Sequence, residues 1–339
     1  IDLEGIEEVE IAMTPTKFDR SKQPPDGPDP LLTIPEVWTD ELSNGMKVYG
    51  IENNELPLVQ YSIVLKGGHY LDDPDKSGTA SLVSTLMMEG TAGKTPQELE
   101  EAIEKLGARI NMYASNGSIT ISVNTLARNY DATLALVEEI LLEPRGDEED
   151  FYLAKTAALN RLKRQKAEPS TIARNTFMEL VYGKNHIFST GTSGTVESVE
   201  SITLDDLKSY YETCFSPSVS AFHIAGNIKE GKVMGSLQSL SENWVAKEVE
   251  FPEYEIPESP EGSAVYFADV PGAKQSVIYI GMPCMARTDA DYYPATVMNH
   301  KLGGSFNSHV NMVLREEKGY TYGARTYFTG SYLPGYFVA

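Results

Sequence analysis

Five histidines, His69, His186, His223, His300 and His309, are the strongest metal-ligand candidates, and no two lie three or four residues apart. A zinc site built on one helix needs such a pair on one face, so there is no local zinc site. His223 falls in an apolar strand and is read as a satisfied core residue. His300 and His309 flank Gly303-Gly304, where solvent or structural hydrogen bonding accounts for them. The run Gly90-Thr91-Ala92-Gly93-Lys94-Thr95 imitates the end of a phosphate loop, but Met88 stands where its first glycine belongs. In Gly191-Thr192-Ser193-Gly194 a glycine follows the serine directly, so the strained elbow of a serine hydrolase is absent. Asp72-Asp73-Pro74-Asp75 lacks the alternating ligands of a calcium loop and reads as a turn. The richest segment is residues 301–323, where Gly303, Gly304 and Ser305 open a stretch that continues through Leu314-Arg315-Glu316-Glu317-Lys318-Gly319 to Tyr322.

The elements that must position these residues follow from periodicity and punctuation. Residues 1–34 are acidic, then proline-rich, and read as an extended leader or linker. Residues 46–51 and 58–65 read as two strands joined by Glu52-Asn53-Asn54-Glu55 into an opening hairpin. A largely apolar helix follows at 78–89. Thr95, Pro96 and Glu98 then mark the N-cap, N1 and N3 positions of a second helix ending at Leu106-Gly107. Period-two alternation over 118–124 predicts a half-buried antiparallel strand. Helices are expected near 128–143, 148–167, 170–182, 203–213 and 229–243, with a strand near 219–225. The order gives an α+β fold with helices on one face of an antiparallel-rich sheet.

A second acidic, proline-rich connector spans 245–262, after which a strand–strand–helix–helix pattern begins again. The helix, glycine and strand around Gly107 lie over those around Gly319, an offset of 319 − 107 = 212 residues. Two homologous domains are therefore expected, at 35–244 and 263–339. On this offset the second lacks counterparts of the helices from 128 to 243, and a C-terminal segment of roughly a hundred residues is expected beyond Ala339 to cover its sheet.

Composition sets the outer limits. With 28 Lys+Arg against 49 Asp+Glu, the net charge of −21 argues against nucleic acid or an anionic membrane surface as partner. No apolar run is long enough to span a membrane. Two cysteines, Cys214 and Cys284, cannot form a disulfide framework and leave the redox compartment open.

The segment 301–323, with L-R-E-x-x-G-x-x-Y, is similar to the C-terminal half of the pitrilysin/insulinase-type zinc metallopeptidases, a family that includes mitochondrial processing peptidase. Residues 42–95 resemble the N-terminal half of that family. Gly194-Thr195-Val196-Glu197, with Ile202-Thr203, Asp206-Leu207 and Tyr210-Tyr211, resembles another of its stretches. Active members carry H-x-x-E-H on the first helix, two ligands and a base. Aligned on Gly78-x-Ala80 and Gly90-Thr91, those positions are Ser81, Leu82, Val83, Ser84 and Thr85, and the third ligand falls near Arg161. The resemblance therefore implies a chain with no zinc and no cofactor of its own. It also implies that Arg315 and Tyr322, seven residues apart, match a family pair that holds the peptide and donates to the oxyanion. They would serve a zinc carried by an H-x-x-E-H partner, separate or fused, acting on a peptide substrate. Gly303-Gly304-Ser305 resembles the substrate-handling glycine-rich loop of the non-catalytic processing-peptidase subunit. The alternatives are a catalytically silent scaffold of the same fold and, with no local His or Asp in support, a hydrolase using Ser81 or Ser84. Bacterial relatives are often exported, which favours the periplasm over the cytoplasm.

Overall fold

The computed structural model describes residues 17–19, 21–23, 25, 27–28, 31, 34–255, 257–258 and 262–339. Residues 1–36 and 37–339 form separate units. The described residues of the first carry no helix or strand, and most of the expected leader lies outside the described residues.

The larger unit opens with β1 (Trp38–Glu41), β2 (Lys47–Glu52) and β3 (Leu58–Lys66), followed by α1 (Thr79–Leu86) and α2 (Pro96–Lys105). β4 (Arg109–Ala114) and β5 (Ser118–Leu126) come next. The helices are α3 (Tyr130–Leu142), α4 (Glu148–Gln165), α5 (Pro169–Tyr182), α6 (Val196–Ser201) and α7 (Leu204–Cys214). β6 (Ser220–Gly226), α8 (Glu230–Ser236) and α9 (Gln238–Asn243) close the first half. The sheet order is β1-β2-β6-β3-β5-β4. Every pairing is antiparallel except β2 with β6.

That order corrects the expected opening hairpin. β2 and β3 are not neighbours, because β6 lies between them, parallel to one and antiparallel to the other. The connection at 53–57 has none of the two-residue turn chemistry that would force adjacent pairing. β6 also brings Phe222 and Ile224 to the buried face, where Phe222 stacks on Tyr61 at 5.4 Å. Alternation sends Val59, Tyr61, Ile63 and Leu65 of β3, with Ile119, Ile121 and Val123 of β5, into the core. His223 points the other way: it is exposed and stacks on Tyr49 at 5.2 Å. The expectation that it is a core residue is therefore wrong, since its neighbours Phe222 and Ile224 occupy the inward positions of a period-two strand.

Several helix boundaries follow from their caps. Thr95 and Glu98 form the expected reciprocal capping box of α2, and Thr203 with Asp206 does the same for α7. The single helix expected over 229–243 is two, α8 and α9, meeting at Leu237.

The second half holds β7 (Gly281–Cys284), α10 (Tyr292–Asn299), β8 (Tyr327–Phe328) and β9 (Gly335–Val338). Its sheet order is β7-β9-β8 with both pairings antiparallel. This repeats β3-β5-β4 of the first sheet, where the last strand in sequence is also the central one. Two strands were expected before the helix and one forms. Residues 265–267 are exposed and make no ladder among the described residues. Residues 320–323, expected as a strand, also lie outside any ladder, and β8 forms further on. An aromatic cluster ties the two halves together. Tyr70 meets Phe188 and Tyr332, Tyr182 meets Tyr336, and the Tyr254 hydroxyl donates to the Tyr70 carbonyl.

Candidate functional site

Helix α1 starts at Gly78, whose left-handed φ of 104° suits glycine and which has no side chain to cap the helix. Asp72 caps it from a distance, its carboxylate accepting from the backbone N–H of Gly78 and of Ala80, each at 2.8 Å. The same carboxylate takes Nδ1–H of His69 at 2.8 Å, while His69 Nε2 lies 3.1 Å from the Ile187 carbonyl. Both side chains are essentially sealed from solvent, at 1% and 0% exposure. The Asp72 turn is thus the anchor of α1 and not merely a reversal. Local sequence missed this, because the Ile187 carbonyl on the other side of the His69 ring lies 118 residues away. At the next contact Ser198 donates to the Ser77 carbonyl at 2.8 Å. Gly194, with φ of 70°, lies so close that a Cβ there would overlap the Ser77 carbonyl oxygen.

Ser81, Thr85 and Glu89 recur at four-residue intervals on one face of α1 and its continuation, opposite Asp150, Ala154 and Arg161 of α4. The two helices run antiparallel. The C-terminal end of α4 pairs with α6 through Lys163–Glu200 and Lys166–Glu197. Ser198 of α6 in turn touches the start of α1. Between the helices lies a cavity of about 370 Å³. Ser84 is buried and donates to the Ala80 carbonyl at 2.8 Å, and Thr85 donates to the Ser81 carbonyl at 3.0 Å. Both hydroxyls are committed to the helix itself, which leaves the Ser81 hydroxyl and the Arg161 cation on that side. This donor set does not fit a divalent metal. Among the described residues, no three His, Cys, Asp or Glu side chains converge elsewhere.

The other residues singled out lie in the second half. Gly303 is buried because a Cβ would collide with Thr326, whose N–H donates to the Gly303 carbonyl at 3.1 Å. Asn299 donates to the Thr326 carbonyl at 2.7 Å and accepts from its hydroxyl at 2.5 Å. Asn311 holds the Ala324 N–H at 3.1 Å. These two buried asparagines, which the sequence reading passed over, peg the segment that carries Tyr322. Gly304 and Phe306 are exposed and Ser305 is half-buried. His300 and His309 are both exposed. The Arg315 guanidinium sits 4.5 Å from the Phe306 ring centroid, with Nε 3.6 Å from Glu316. Tyr322 is 92% exposed, as expected for a side chain outside any ladder.

A profile of the insulinase family (peptidase family M16) matches residues 48–191, and one of the peptidase M16 inactive domain matches 201–339. The chain belongs to the M16 peptidase family. An uncharacterized zinc protease, YmxG of Bacillus subtilis, is 21% identical over 84% of this chain and 68% of its own length. The non-peptidase homolog YmxG of Helicobacter pylori is 24% identical over 80% of this chain and 62% of its own. A probable mitochondrial-processing peptidase subunit beta of Arabidopsis thaliana is 24% identical over 83% and 52%. The chain thus spans about half to two thirds of the length of these curated relatives. Among solved structures, the peptidase M16 inactive domain from Pseudomonas fluorescens superposes with a TM-score of 0.79. It is 23% identical and covers 89% of this chain and 73% of its own. A protease from Helicobacter pylori gives 0.77, at 18% identity over 90% and 74%. These likenesses agree with the α+β fold and the two-half organisation of this M16 member. No helix among the described residues is long and apolar enough to cross a membrane.

Proposed function

We propose that this chain is the non-catalytic half of a two-part M16 peptidase, contributing peptide-binding surface and the Arg315/Tyr322 pair to an H-x-x-E-H-bearing homologue that carries the zinc. The observation that carries the reading is the state of those two side chains. Tyr322 is held on a pegged loop yet has its ring in solvent, and among the described residues Arg315 has only a stacked phenylalanine and a distant glutamate. Neither is consumed by its own fold, which suits groups whose partner lies on another polypeptide. On α1 the alcohols Ser81 and Thr85, and on α4 Arg161, stand in place of ligands, which supports a chain that is silent by itself.

In this role the guanidinium would hold a peptide carbonyl or carboxylate by forked hydrogen bonds, and the phenol would donate to the developing oxyanion. Extended substrate would pair with a sheet edge, for which β4 and β7 are available at the ends of the two sheets. The test is to mix the chain with an H-x-x-E-H homologue encoded beside it or fused to it and to measure peptide cleavage. Cleavage should require both chains, and Arg315→Ala or Tyr322→Phe should lower kcat by about 10²–10³-fold. Unchanged rates with both substitutions would leave only the silent-scaffold reading. Stoichiometric zinc in the isolated chain would overturn the proposal from the other side.

A further inference from the structure

The cavity between α1 and α4 is polarised. At one end Arg161 faces the first turn of α1, and among the described residues its side chain has neither a hydrogen bond nor an ion pair. At the other end Glu89 and Asp150 converge. Asp150 Oδ2 is buried without a hydrogen-bond partner, its nearest cation being Arg145 at 3.6 Å, beyond hydrogen-bonding reach. Burial, then repulsion from Asp150 and Glu100, pushes the Glu89 carboxyl above its ordinary value. Between the ends lie Leu82, Leu153, Ala154 and Ala158, with the Ser81 and Thr85 side chains on the α1 wall, so the middle of the cavity carries no charged group.

The spacing selects the ligand. Asp150 and Arg161 are eleven residues apart on α4, about 16 Å along its axis. Both side chains line the cavity, and hydrogen bonds of about 3 Å at each end leave roughly 10 Å of that rise for a ligand. An extended peptide of three or four residues spans roughly 10–14 Å, and its termini carry charges complementary to the two ends. We propose that the α1/α4 cavity binds a short zwitterionic peptide of three or four residues, its carboxylate on Arg161 and its ammonium group between Glu89 and Asp150. A free amino acid would reach one end only. A longer chain would have to leave the cavity at Arg161, which is exposed. The proposal stands on the cavity's own geometry and does not depend on the assisting-half reading or on a second chain.

Calorimetric titration of the whole chain with tri-alanine and tetra-alanine tests it, alongside tetra-alanine acetylated at its N-terminus or amidated at its C-terminus. Binding of the unmodified peptides is expected, with each blocked form weaker by about tenfold or more, the scale of one charge-assisted hydrogen bond. Arg161→Gln should abolish the difference between free and amidated peptide, and Glu89→Gln should shrink that between free and acetylated peptide. Arg161→Lys, which keeps the charge, should retain part of the carboxylate preference. Thermal melts establish that each variant is folded. No heat from either free peptide at millimolar concentration, or equal affinity for free and blocked forms, overturns the proposal. So does a variant that is folded and leaves both preferences intact.

Discussion

Removing the Asp72 carboxylate should uncouple α1 from the rest of the first half. Three donors converge on it, two backbone N–H groups at 2.8 Å and the His69 imidazole at 2.8 Å, all sealed from water. Hydrogen bonds to a charged acceptor contribute about 1.5–3 kcal/mol each, and breaking a buried charged pair by deleting one partner costs about 3–5 kcal/mol. The terms overlap, so Asp72→Ala is expected to cost about 3–5 kcal/mol in total. Asp72→Asn keeps one acceptor oxygen and should cost less. Urea unfolding followed by the fluorescence of Trp244, which is buried against this core, measures the difference. His69→Ala and the double variant complete a cycle in which a coupling of about 1–3 kcal/mol is expected for directly bonded partners. Asp75, exposed in the same turn, is the control, with a change within about 0.5 kcal/mol on substitution by Ala. A loss below about 1 kcal/mol for Asp72→Ala, or additivity with His69→Ala, would refute the account of α1 as a helix capped at a distance. The reasoning also ties stability to the cavity. A loosened first turn of α1 should weaken tetra-alanine binding even though Asp72 does not line that space.

Other outcomes follow from the same structure. Gly194→Ala must accept a φ of 70° and a clash with the Ser77 carbonyl, so a loss of about 2 kcal/mol or more is expected by urea titration. Burial alone would raise the Asp206 carboxyl, but hydrogen bonds from Lys76 and Thr203 outweigh it and hold it below its ordinary value. Its contribution is therefore complete above the unfolded value and lost as pH falls through the lower folded one. Asp206→Asn should flatten the acid limb of a stability–pH curve below about pH 4. Glu89 has the opposite sign, its raised folded value favouring stability below the unfolded one and costing it as pH rises through the folded one. Glu89→Gln should raise the melting temperature at pH 7 relative to wild type, and the gain should vanish near pH 4. Tyr322→Phe should leave thermal stability unchanged, because the ring is in solvent, and Arg315→Ala should cost no more than about 1 kcal/mol, the scale of its stacking on Phe306.

Local chemistry wrote much of this chain. Thr95, Pro96 and Glu98 specify the start of α2 by side-chain to backbone bonds within four residues. The alternation over 118–124 specifies a half-buried strand because inward and outward positions differ every second residue. The order of elements around Gly107 and Gly319 specified the repeat, which reappears as β3-β5-β4 and β7-β9-β8. The alcohols at Ser81, Ser84 and Thr85 were likewise legible, since a zinc site is built from His, Cys, Asp and Glu and residue type alone tells these from alcohols. Strand adjacency was decided only in three dimensions. β6 inserts between β2 and β3 from more than 150 residues away, and no local turn signal encodes a partner that distant. The same non-locality sealed His69 against Ile187. It also set Arg161 and the Glu89/Asp150 pair at opposite ends of one cavity. Each of these depends on which helices and strands pack together, and that is fixed by burial of the whole apolar face.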